Sequence, residues 1–94
     1  MTTGDFDAFK AQALAEGYDE VLERSWPADA RFDEHSHPFA LKAQIVRGEM
    51  WLSIGPETQH LCAGARFELA GEVLHAELYG HEGATYWVAR RNPR

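Results

Sequence analysis

Apolar residues recur at Phe6, Phe9, Ala13 and Leu14, the spacing that lines one face of a helix. Asp5 stands where a capping carboxylate belongs and Gly17 where a helix stops, so the pattern predicts one helix over residues 5–16. After Gly17 the helical period is lost. Segments 18–26, 30–37, 41–47, 49–54, 59–63, 66–69, 72–79 and 84–91 read as short strands, with Gly or Pro at nearly every joint. Strands at that spacing predict an antiparallel sandwich or barrel. The expected organisation is a helix over residues 1–17 packed on a single β-domain over residues 18–94, without linker, low-complexity tract or internal repeat.

The same period of two picks out candidate chemistry. His35 and His37 flank Ser36 in a predicted strand, so their imidazoles share a face. That is the geometry a metal needs when one strand supplies two ligands. A third ligand must come from elsewhere, and His75 stands mid-segment where an aliphatic residue would be ordinary. Val73, Glu77 and Tyr79 share its face, which makes Glu77 a fourth ligand, a partner of a ligand, or an acid–base group. The plainer alternative is a pair of loop histidines beside Pro38 and a half-exposed Glu77. His60, after the Gly55-Pro56 turn, and His81, between two glycines, read as solvated.

Composition narrows the function classes. The 94 residues make one small domain, and a chain of this size buries only about 60–65% of its unfolded surface. A net charge of −6 lacks the footprint needed to hold phosphate backbones, which argues against nucleic acid. The basic cluster over residues 90–94 reads as a solvated end. Cys62 is the sole cysteine, so no intramolecular disulfide forms; it reads as a small buried hydrophobe in a reducing compartment. The acidic amino terminus is no signal peptide, and no apolar run approaches the ~20 residues of a membrane span. A soluble cytoplasmic domain is expected. In residues 49–54 the inward set is Met50, Leu52 and Ile54, which turns Trp51 outward, to be covered by a second chain or by Phe6 and Phe9 of the helix.

Over residues 30–90 the chain resembles the small single-domain cupins. Their first motif runs Gly, five residues, His-x-His, three or four residues, Glu, six residues, Gly. Here His35-Ser36-His37, Leu41 and Gly48 keep that spacing. Their second motif runs Gly, five residues, Pro-x-Gly, two residues, His, three residues, Asn, and Gly64, Ala70-Gly71-Glu72, His75 and Tyr79 hold its frame. The departures are Leu41 for the metal-binding Glu, Ala30 for the first Gly, Ala70 and Glu72 for Pro and Gly, and Tyr79 for Asn. The resemblance implies an all-β double-stranded β-helix, a jelly-roll barrel with one short N-terminal α-helix, and tips Trp51 toward a homodimer contact. It also implies that His35, His37 and His75 hold one divalent metal, Fe, Mn, Ni or Zn, either as an open three-histidine site, as in thiol dioxygenase-like cupins, or completed by Glu77.

Three functions follow from those expectations. The first is a metal-dependent enzyme, a dioxygenase, isomerase or lyase on a small organic molecule, in which Glu77 or Tyr79 moves protons. The second is a small-ligand sensor or storage domain without turnover. The third is a metal-free structural domain. Phe39, Phe67 and Tyr79 would give the barrel mouth an apolar lining, although a domain this small needs most large side chains as core.

Overall fold

Each alternating strand has one face to bury, and this chain buries them by bending one antiparallel sheet back on itself. The computed structural model describes residues 3–93. Its elements are α1 (Thr3–Ala15), β1 (Glu20–Trp26), β2 (Arg31–His35), β3 (Ala40–Ile54), β4 (Glu57–Cys62), β5 (Arg66–Leu69) and β6 (His75–Arg91).

Two strands are far longer than the sequence pattern predicts. β3 runs through Gly48, and β6 runs through Gly80 and Gly83. Gly48 and Gly83 have φ of 79° and 72°, and a Cβ on Gly48 would lie 2.1 Å from the Gly83 carbonyl oxygen. These glycines therefore bend the strands where two backbones meet closely, and do not end them. The β3–β6 register shifts at the same place, between Gly48 and Met50.

The bend lets each long strand serve two half-sheets. The first half of β3 lies between β5 and the second half of β6, which pairs onward with β1. The second half of β3 lies between β4 and the first half of β6, which pairs onward with β2. Ile45, Met50, Leu52, Leu61, Tyr79 and Ala84 fill the space between these layers, with Trp26, Phe32, Phe67 and Tyr86 packed around them. The expected jelly-roll is thus present, and its interior is where a site must sit.

α1 covers the outer face of one half-sheet. Phe9 and Ala13 are buried against Trp87 and Ala89, with the Phe6 and Phe9 rings 5.6 and 5.8 Å from Trp87. Leu14 stays 44% exposed, because the buried stripe is narrower than the sequence suggests. The helix starts at Thr3, which puts Asp5 inside it and not at its cap.

Three further expectations are corrected. Arg90 and Arg91 belong to β6: Arg90 lies over Phe39 at 4.9 Å and Arg91 over Tyr18 at 4.6 Å. Arg94 lies outside the described residues. Cys62 is exposed, because Leu61 takes the inward position of β4 and leaves its neighbour on the outer face. Ile54 is 38% exposed at the strand end, and the ring against Trp51 belongs to His60, while α1 lies on Trp87. No helix among the described residues is long and apolar enough to cross a membrane.

Candidate metal centre

β2 ends at His35, so His37 lies in the following loop, and strand parity does not carry through to it. His75 opens β6 and is not mid-strand. Their convergence has other causes. His35 pairs directly with His75 in the β2–β6 ladder. The loop holding His37 is drawn in by Gly71, where a Cβ would lie 2.7 Å from the Pro38 carbonyl oxygen, and by the Glu72 N–H donating to the His37 carbonyl at 2.8 Å. Ring centroids are 4.4 Å apart for His35 and His75, 4.9 Å for His37 and His75, and 6.2 Å for His35 and His37.

All three rings are oriented alike. Nδ1 of His35 donates to the Asp33 carbonyl at 2.7 Å, that of His37 to Phe39 at 3.1 Å, and that of His75 to Val73 at 2.9 Å. A carbonyl only accepts, so each Nδ1 keeps its proton, and in a neutral ring Nε2 carries the lone pair. Such a hydrogen bond behind the ligand nitrogen fixes the tautomer that binds metal. Burial also pushes the His37 pKa down, which favours its neutral form; its ring lies flat on Phe39 at 4.1 Å.

Glu77 completes the cluster. Its Oε2 lies 3.3 Å from His75 Nε2 and 3.6 Å from His35 Nε2, and one ligand atom from each of these residues lies within 4.8 Å of the others. Ligand bonds of about 2.0–2.2 Å at tetrahedral angles place neighbouring donors about 3.3–3.6 Å apart. The spacing therefore suits a cation at their centre. His37 borders this trio. Tyr79, 1% exposed, donates its hydroxyl to Glu77 Oε1 at 2.5 Å. Burial, reinforced by Tyr86 and Glu77, raises the Tyr79 pKa far above the usual phenol range, so the hydroxyl stays protonated and remains a donor.

The site opens into a cavity of about 220 Å³ between the half-sheets. Leu41 lines it at the position where a Glu was expected, beside Trp26, Phe32 and Val88. Arg24 and Arg90 line it too, each guanidinium lying over an aromatic ring, Trp26 at 5.4 Å and Phe39 at 4.9 Å. The sequence reading missed both arginines. Their signal was present: Arg24 alternates with Trp26, and Arg90 with Tyr86 and Val88, so each is a charge on an inward face. Phe67 packs into the core, while His81 is exposed and bonded to Asp29 at 2.9 Å.

No protein-family model matches the chain, and no curated protein matches it. Solved structures do. The chain is similar to an RmlC-like cupin from Shewanella frigidimarina, at 17% identity over 83% of this chain and 70% of that one, TM-score 0.68. It is similar to an HTH_3 family transcriptional regulator from Vibrio cholerae, at 16% identity over 85% of this chain and 46% of that one, TM-score 0.67. A structure of the DMSP lyases RdDddP and RnDddQII matches at 16% identity over 77% of this chain and 37% of that one, TM-score 0.69. The chain thus spans less than half of the latter two. These likenesses establish the cupin fold and leave function to the site.

Proposed function

We propose that this cupin-fold chain is a metal-dependent enzyme acting on a small organic anion. His35, His75 and Glu77 hold one divalent cation, His37 stands beside them as a further nitrogen donor, and Arg24 and Arg90 take the substrate's carboxylate. One observation carries the reading: Glu77 Oε2 faces two Nε2 atoms at 3.3 and 3.6 Å while both Nδ1 atoms are bonded to carbonyls. Two imidazoles and a carboxylate are the donor set of catalytic zinc and of non-haem iron(II) sites. Such an ion would supply Lewis acidity to a substrate oxygen.

The protein's own residues do the rest. Tyr79 holds Oε1 of Glu77 and leaves Oε2 turned to the two nitrogens. Leu41, Phe32 and Val88 keep the cavity wall dry, which strengthens every charge interaction within it. The two guanidinium groups, each laid on an aromatic ring, orient a carboxylate. A volume of about 220 Å³ falls below the ~300–1,000 Å³ of pockets for drug-sized ligands, which points to a small substrate. Similarity to a structure of DMSP lyases supports a cleavage reaction in this fold.

The test uses chain made without a histidine tag. Elemental analysis in a Cys62→Ser background, which leaves the barrel untouched, should find near one divalent metal per chain, lost when His75→Ala is added, and a panel of small carboxylates should then show turnover that Arg90→Met weakens without loss of metal. Wild type that stays metal-free after incubation with Fe, Mn, Ni and Zn ends the proposal. A second reading has one observation in its favour, the similarity to a transcriptional regulator: the same site binds its anion without turnover. Carboxylate binding with no product across the panel would select it.

A further inference from the structure

β4 presents a second set of ligand atoms, on the opposite face from the barrel site. In His60-Leu61-Cys62 the period of two buries Leu61 and turns the flanking residues outward. In the β3–β4 ladder Glu49 lies opposite Cys62, and Trp51 lies opposite His60. One strand therefore brings a thiol and an imidazole, and the next brings a carboxylate to the same patch.

We propose that Glu49, His60 and Cys62 form a second metal site on the outer face of the sheet, suited to Zn²⁺. One ligand atom from each lies within 4.8 Å of the others. Cys62 Sγ is 3.6 Å from His60 Nε2, and Nε2 is 2.7 Å from Glu49 Oε1. Zinc with a Zn–S bond of about 2.3 Å and Zn–N of about 2.0–2.1 Å at a tetrahedral angle places sulfur and nitrogen about 3.6 Å apart. The thiol and imidazole already have that separation. The carboxylate needs to withdraw by only about 0.6 Å to reach the ~3.3 Å that the same bond lengths set for nitrogen and oxygen.

Two neighbours shape the site. The Trp51 indole lies flat on the His60 ring, 4.6 Å away and 7° from parallel, which fixes the edge the imidazole presents. Gly80 makes room for the carboxylate: a Cβ there would come within 2.7 Å of Glu49 Cγ and 2.8 Å of Oε2. Three protein ligands leave one tetrahedral position for water or an exogenous group. A sulfur donor also separates this site in kind from the nitrogen and oxygen donors of the barrel.

Titration of the metal-free full chain with Co²⁺ tests the site. Cys62 is the sole cysteine, so a thiolate-to-cobalt charge-transfer band reports this site even while the barrel also fills. The band should saturate at one cobalt per chain beyond what Cys62→Ser takes up in parallel, be displaced by Zn²⁺, vanish in Cys62→Ser, and need at least tenfold more cobalt in His60→Ala and in Glu49→Gln. All three positions are on the outer face, and melting curves will confirm that the variants fold. A wild type without the band overturns the proposal. So does a band unchanged in the Glu49→Gln and His60→Ala variants, which would show the thiol acting alone, or saturation at half a cobalt per chain beyond the uptake of Cys62→Ser, which would place the ion between two copies.

Discussion

Glu77→Gln separates the metal from the scaffold that holds it. At about pH 9, where imidazoles are ordinarily neutral, the Nε2 lone pairs of His35 and His75 in the metal-free protein face Glu77 Oε2 at 3.6 and 3.3 Å, acceptor against acceptor. A glutamine keeps an oxygen for the Tyr79 hydroxyl and sets an NH₂ where Oε2 stands, so both nitrogens gain a donor. At about 1 kcal/mol net per hydrogen bond, the metal-free variant should be about 1–2 kcal/mol more stable than wild type. For a domain of this size that is a rise in Tm of about 4–16 °C. Metal acts in the opposite sense. An ion at 100 times its Kd stabilises wild type by about 2.7 kcal/mol, whereas a variant with at least 100-fold weaker affinity gains about 0.4 kcal/mol or less. Calorimetric melts with and without metal should therefore cross: the variant melts higher when both are empty and gains far less when metal is added. Equal metal-induced shifts, or a metal-free variant less stable than wild type at that pH, would refute a site built on Glu77.

Four further outcomes test the parts around that carboxylate. Tyr79→Phe removes the donor to Oε1 with little change in volume and should weaken metal binding about 10–100-fold in a chelator competition, with circular dichroism unchanged. Glu72→Gly places glycine at a residue with φ of 67°; relief of about 1–2 kcal/mol of left-handed strain, less about 0.5–1 kcal/mol of chain entropy, should raise Tm by a few degrees. Gly48→Ala drives a methyl group onto the Gly83 carbonyl at positive φ and should lower unfolding free energy in urea by at least about 3 kcal/mol. Leu41→Glu sets a carboxylate opposite Arg90 in the β3–β6 ladder and should weaken small-carboxylate binding at least about tenfold by calorimetry; unchanged affinity would remove Arg90 from the substrate site.

Much of this was legible where a single strand decides the outcome. His75, Glu77 and Tyr79 alternate along one strand, so their common face follows from the sequence alone. The helix stripe of Phe6, Phe9 and Ala13 is equally local. What failed depended on distant partners. A glycine that ends a strand and one that bends it look alike in sequence; the Gly83 carbonyl against Gly48 decides the matter. The outward turn of Cys62 is set by the core accepting Leu61, its neighbour. His37 reaches the site through the contact of Gly71 with Pro38, a loop packing that no periodicity encodes.

The substitution at residue 41 connects metal and substrate. The resemblance places a metal-binding Glu there, and Leu41 does line the cavity. In the proposed site Glu77 supplies a carboxylate in its place, so the site would keep its charge. Leu41 pairs directly with Arg90, where a carboxylate would neutralise the guanidinium as well as bind the ion. With leucine there, no residue-41 carboxylate competes for Arg90, whose guanidinium lies on the Phe39 ring while Phe39 stacks on His37. On the proposed function, Leu41 divides one carboxylate's two attractions: Glu77 would serve the ion, and the substrate's own carboxylate would serve Arg90.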